Sequence, residues 1–166
     1  MSTIAKAQFG KSVTTKRTFS RETTITAEIK ADANLIWKVL TDSENYPEWN
    51  STIISFKGKI APNEKIILKS TLDEKREFKL KVKEYVPNHK LVWGDANGKR
   101  TFLIELVALG RVHFTMHEKI GGIMFPLYAK MIPSFDENFE QFVKDLKTKV
   151  ESKKSKKENS HSVLEH

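Results

Sequence analysis

ITAEIKADANLIWKVLTDSENYPEWN, residues 25–50, changes periodicity within one short stretch. Ile25, Ala27 and Ile29 alternate with Thr24, Thr26 and Glu28, the pattern of a strand with one buried face. Asp32 stands where a helix N-cap belongs, and Leu35, Ile36, Val39 and Leu40 share one side of the helix expected behind it. Residues 43–50 are expected to form a second, broken helix ending at the corner of Pro47 and Trp49.

Working outward, six further strands are expected after residue 50, with turn residues between them. They cover 52–59, 64–72, 76–86, 90–95, 99–108 and 111–120, and the turns carry Gly58, Pro62-Asn63, Pro87-Asn88, Asn97-Gly98 and Gly110. Asn97-Gly98 reads as a two-residue hairpin, because both residue types tolerate positive φ. Phe78, Leu80 and Val82 face one way, while Lys79, Lys81 and Lys83 face the other as solvated residues of an outer sheet face. After Gly121-Gly122 the period becomes helical, and Ile132, Phe135, Phe139, Phe142, Val143, Leu146 and Val150 form one stripe. Met124, Phe125, Tyr128 and Met131 extend that stripe backwards. Pro133 interrupts it, which predicts a short leading segment followed by a straight helix over about 133–151.

These elements predict an α+β domain over residues 22–151. A seven-stranded antiparallel sheet wraps around a long C-terminal helix, with two short helices after the first strand. One helix, rising about 1.5 Å per residue, does not cover the whole concave face of a twisted sheet. A space is therefore expected beside its leading part.

The formal net charge is +8, but its distribution argues against a nucleic-acid surface. Residues 1–21 hold five basic residues and no acid, and residues 147–166 hold six Lys against three Glu. The body between them, with 18 basic and 18 acidic residues, is formally neutral. Residues 1–21 and 152–166 are expected to be disordered basic tails, the second ending in the remnant of an affinity tag, Leu164-Glu165-His166. No apolar run approaches the roughly 20 residues of a membrane span, so no stable membrane insertion is expected. Zero Cys excludes a disulfide framework and a thiolate nucleophile, and a cytoplasmic location is the simplest expectation.

Few motifs carry chemistry. His113 and His117 have zinc-like helical spacing, but they alternate with Val112, Phe114 and Met116 on a strand. Four strand residues span roughly 13 Å, too far for one metal ion, so both are expected on the exposed face and no metal or cofactor is predicted. Gly10-Lys11-Ser12 lacks the earlier glycine and the strand of a phosphate loop. Glu118 continues the inward alternation of Val112, Phe114 and Met116. Either its strand has left the core there and Glu118 meets solvent, or it stands in the cavity as an acid, base or ligand anchor.

Ile25-x-Ala27-x-Ile29-x-Ala31, then Ile36-Trp37-x-x-Leu40-Thr41-Asp42, then Tyr46-Pro47-x-Trp49, resemble the opening of the SRPBCC superfamily, the START-like or helix-grip proteins. The Gly121-Gly122 break before a long helix fits as well, so the resemblance covers about residues 22–151. It implies a hydrophobic cavity for lipids, polyketides or similar apolar molecules. Some relatives catalyse cyclisation or dehydration, and one branch activates a chaperone ATPase. The glycine-rich loop of the plant pollen-allergen-like members is absent here, and only Glu118, Tyr128 and Ser70 offer polar groups of the kind cyclases use.

The leading expectation is a non-enzymatic binder or carrier of a small hydrophobic molecule. Its expected ligand-binding residues are Phe78, Leu80, Trp93, Phe102, Phe114, Met116, Glu118, Met124, Tyr128, Met131 and Phe135. A polyketide cyclase or dehydratase would use Glu118 and Tyr128 for proton transfer. A third possibility is a chaperone-ATPase-activator-like interaction module whose protein partner is not specified by the sequence.

Overall fold

The computed structural model describes residues 8–164. Its frame is one eight-stranded antiparallel sheet in the order β1-β2-β8-β7-β6-β5-β4-β3. The strands are β1 (Val13–Lys16), β2 (Ser20–Ile29), β3 (Ile53–Lys57), β4 (Lys65–Ser70), β5 (Asp73–Val86), β6 (Lys90–Gly94), β7 (Gly98–Ala108) and β8 (Arg111–Gly121). Helices α1 (Ala33–Leu40) and α2 (Tyr46–Trp49), with a 3-10 turn over Ser43–Asn45, carry the chain from β2 to β3 at the far edge of the sheet. A leading segment, α3 (Phe125–Tyr128) and a 3-10 turn (Ala129–Met131), precedes α4 (Asp136–Leu164).

The alternation that begins at Ile25 extends back to Arg21. Arg21, Thr23, Ile25, Ala27 and Ile29 are all buried, with half-buried residues between them. β2 pairs with β8 from Ser20 opposite Gly121 to Ile29 opposite Val112, which joins the first long strand to the last. Phe135, just before α4, and Phe139, Phe142, Val143, Leu146 and Val150 of α4 pack into the core on this face. Phe142 meets Phe102 of β7 at 5.9 Å between ring centroids, and Phe102 meets Trp93 of β6 at 4.8 Å. Aromatic contacts thus tie the middle of α4 to the middle of the sheet.

The corner at residues 46–49 closes the core. Tyr46 is fully buried and stacks on Phe56 at 4.9 Å, and its hydroxyl donates to the Leu40 carbonyl at 2.7 Å. Burial pushes the Tyr46 phenol above its ordinary range. Trp49 packs against Phe142 at 6.0 Å.

Four features differ from the sequence-based expectation. The sheet has eight strands, not seven, because residues 13–16, expected in a disordered tail, pair with β2. The reason lies in their side chains. Ser12 and Thr14 donate to Asp136 Oδ1 at 2.9 and 2.7 Å, fastening β1 to the first turn of α4. At the other end, α4 continues to Leu164 through the stretch expected as a Lys-rich tail. That stretch has no Pro or Gly to stop it, although Val150 is the last fully buried residue of the helix. Residues 1–7, and Glu165 and His166 of the expected tag remnant, lie outside the described residues.

Asp32 occupies the N-cap position, and its carbonyl accepts from Leu35 and Ile36, but its side chain makes no capping bond. The β6–β7 turn also departs from a two-residue hairpin. Asn97 has no positive φ, and the Asp95 carboxylate accepts from the Asn97 and Gly98 amides at 2.8 and 3.0 Å. The Pro-Asn turns do use the left-handed region, with Asn63 at φ 64° and Asn88 at φ 63°.

Candidate ligand-binding site

A cavity of about 210 Å³ lies between the sheet and the segment that leads into α4. The sheet contributes Leu68 and Ser70 of β4, Phe78 and Leu80 of β5, Trp93 of β6, Arg100 of β7, and Glu118 and Ile120 of β8. Tyr128, Met131, Ile132, Pro133 and Phe135 face them from the helical side. Asp73, Arg76 and the turn between β6 and β7 complete the rim. Its volume lies between that of an engineered ~150 Å³ cavity that takes benzene and the ~300–1,000 Å³ of ordinary ligand pockets.

Strand alternation explains which side chains reach this space. Arg100, Phe102 and Ile104 point inward from β7, and Met116, Glu118 and Ile120 from β8. Phe102, Ile104 and Met116 are fully buried in the core, whereas Arg100, Glu118 and Ile120, nearer the β6–β7 turn, line the cavity. Glu118 is therefore neither solvated at a strand end nor alone in an apolar pocket. It is paired in register with Arg100, whose Nε donates to Glu118 Oε2 at 2.5 Å. The two side chains retain only 10% and 17% of their exposure. The Arg100 guanidinium also sits over the Phe139 ring, 4.9 Å from its centroid.

Arg21 has a different role. Its Nη1 and Nη2 donate to the carbonyls of Ile132 and Pro133 at 3.2 and 2.7 Å, and its guanidinium lies over Phe135. It clips the chain at the break around Pro133 onto β2. Burial draws its pKa below the ordinary arginine value, while Asp136 and Glu118 act in the opposite sense.

Seven of the eleven expected site residues line the cavity: Phe78, Leu80, Trp93, Glu118, Tyr128, Met131 and Phe135. Phe102, Phe114 and Met116 do not; they are fully buried core residues under α4. Met124 is 57% exposed and also lies outside, because α3 turns Phe125 inward in its place. Sequence reasoning missed Arg21 and Arg100. Arg21 was assigned to the basic tail, yet both residues share the parity of buried neighbours two positions along the same strand. His113 and His117 stand on the other face, beside Glu28 and Glu22 at 3.4 and 3.5 Å. Among the described residues no group of three or more His, Asp or Glu is arranged to hold a metal ion. No described helix is long and apolar enough to cross a membrane.

Residues 30–151 match the family model described as Activator of Hsp90 ATPase homolog 1-like protein. The chain belongs to that family. The matched span contains the whole Arg100–Glu118 pair and the leading segment but not β1 or Arg21. No curated protein matches the chain significantly in sequence.

Solved structures are similar in fold. The Zhui aromatase/cyclase of a Streptomyces species superimposes with a TM-score of 0.64 at 11% identity, covering 80% of this chain and 94% of its own. Thalictrum norcoclaurine synthase gives 0.63 at 12% identity, with 84% and 99% covered. A START superfamily protein from Mycobacterium smegmatis gives 0.58 at 19% identity, with 79% and 97% covered. At these identities the likeness establishes a helix-grip, START-like fold for this family member.

Proposed function

We propose that this protein is a cytoplasmic binder or carrier of a small hydrophobic molecule, held between the sheet and the segment leading into α4. The observation that carries the reading is the cavity itself. Phe78, Leu80, Trp93, Ile120, Tyr128 and Phe135 offer it an apolar lining, while Asp73, Arg76, Asp95 and Lys99 stand at the rim and the Arg100–Glu118 pair is the charged group within. Binding would be driven by apolar burial, at about 25 cal/mol per Å² of surface removed from water. Neutral aromatic or alicyclic compounds of modest size fit this volume better than long-chain lipids. A binder is favoured over a proton-transfer enzyme because the Glu118 carboxylate is already engaged by Arg100.

A backbone-amide NMR titration with fatty acids, sterols, flavonoids and polyketides tests the reading. Saturable shifts are expected at residues 78–80, 93–100, 118–120 and 128–135. A panel that moves none of these amides sinks the proposal.

The family's description favours a second reading, an interaction module acting on a chaperone ATPase. On that reading the purified protein raises the ATP hydrolysis rate of the host's Hsp90-type chaperone. An unchanged rate at saturating protein counts against it.

A further inference from the structure

We infer that the cavity selects apolar ligands bearing an accepting oxygen, a carbonyl or a carboxylate, and that Arg100 is the residue that binds it. The inference rests on the proposal that the cavity holds a ligand, and it names the chemistry of that ligand.

Three observations converge on Arg100. It is 91% buried, with only 9% of its surface exposed, and it lines the cavity. Its Nε is spent on Glu118, but among the described residues neither Nη atom donates to any protein group. Those nitrogens are also absent from the fully enclosed, unpartnered polar atoms, of which the described residues show only Trp49 Nε1. Their N–H groups therefore open onto the cavity. Guanidinium donors left unpaired in a half-dry site demand an acceptor, and a hydrogen bond to a charged group is among the stronger ones available.

The other cations of this region differ from it: Lys99, of the opposite parity on β7, is exposed at the rim. Arg21 spends both Nη atoms on backbone carbonyls. Arg76 is exposed at the rim and lies over the Phe78 ring at 4.9 Å. Arg100 alone combines burial, cavity access and free donors. Glu118 and the Phe139 ring hold its guanidinium from two directions, so the donors are oriented before a ligand arrives. Glu118 is thus a positioning residue. The lining carboxylates Asp73, Asp95 and Glu118 are matched in number by Arg76, Lys99 and Arg100, so selection rests on the free Arg100 donors, which repel a cationic head and find no acceptor on it.

The test is isothermal titration of the full chain with four naphthalenes of matched shape: 2-acetylnaphthalene, 2-naphthoate, 2-ethylnaphthalene and 2-(aminomethyl)naphthalene. The ketone and the carboxylate are expected to bind at least about tenfold more tightly than the ethyl compound, the scale of a charge-assisted hydrogen bond. The amine is expected to bind weakest. In the double variant Arg100→Met with Glu118→Leu, which leaves no unpaired buried charge, the ketone and the ethyl compound should bind equally. Equal binding of those two by the natural protein overturns the role of Arg100 while the cavity reading stands. Binding of none of the four removes both.

Discussion

Arg100 Nε and Glu118 Oε2 meet at 2.5 Å across adjacent strands, joining the centre of the sheet to the edge of the cavity. Because both side chains are nearly buried, the pair is an all-or-none unit. Removing one partner strands a charge, whereas removing both leaves an apolar patch.

Glu118→Leu should therefore lower stability by about 3 kcal/mol, the lower end for breaking a buried pair, since some solvent reaches it. Arg100→Met with Glu118→Leu should be closer to the natural protein than either single variant. Urea denaturation of the three variants decides this. A double variant that loses the sum of the two single losses would show that the residues act independently.

Asp136 links β1 to α4, and its titration should be visible. Hydrogen bonds from Thr14, then Ser12 and Ser134, with the nearby Arg21 charge, hold its carboxyl below the ordinary aspartate value, although burial opposes them. A depressed folded-state pKa means that this stabilisation is complete above the ordinary value. It is lost as the pH falls through the depressed one. Glu151 titrates in the same direction: burial raises it, but Lys147 and the Lys30 amide outweigh that effect. The difference between the natural protein and Asp136→Ala therefore isolates Asp136. Stability curves from neutral pH into the acid range should converge at the acid end. Hydrogen exchange at residues 13–16 should accelerate in the variant while β2 and β8 stay protected; unchanged exchange would contradict the fastening.

Tyr46→Phe should destabilise by about 1–3 kcal/mol, because it leaves the buried Leu40 carbonyl without its donor. Asp32→Ala offers the contrast. A working N-cap is worth about 1 kcal/mol, but the Asp32 side chain makes no capping bond, so the loss should stay below about 0.5 kcal/mol. Thermal or urea denaturation of both variants checks the ranking, and a costlier Asp32→Ala would reverse it.

Much of the fold was legible because residues 25–50 and the Phe-rich stripe of α4 each display one dominant period. β1 was not, because four residues with a single exposed apolar side chain, Val13, carry no alternation. Their placement comes from hydroxyls that meet Asp136, more than a hundred residues away. The cavity was legible in outline for a similar reason. Alternation places Phe102, Phe114 and Met116 on the inner face, where they are buried, but leaves Glu118 open between the cavity and solvent. It does not say how far along each strand α4 reaches, and that depth separates packed core from cavity wall. Arg100 was overlooked because a lone basic residue beside Lys99 reads as surface, although Phe102 and Ile104 continue its parity.

The extension of α4 beyond Val150 buries little, so removing residues 153–166 should change the unfolding free energy by less than about 0.5 kcal/mol. Val150→Ala, by contrast, empties a fully buried position and should cost about 2 kcal/mol. Calorimetry of the two variants separates a packed helix from its projecting end. A large loss on truncation would show that the extension packs against something.

The central claim is that the space beside the leading segment holds an apolar ligand. Intermolecular NOEs between 2-acetylnaphthalene and the protein's methyl groups test it most directly. The account predicts NOEs from the ring protons to Leu68, Leu80, Ile120 and Ile132, which line the cavity. NOEs confined to the exposed Leu109, Ile123 and Leu127, or none at all, would contradict it.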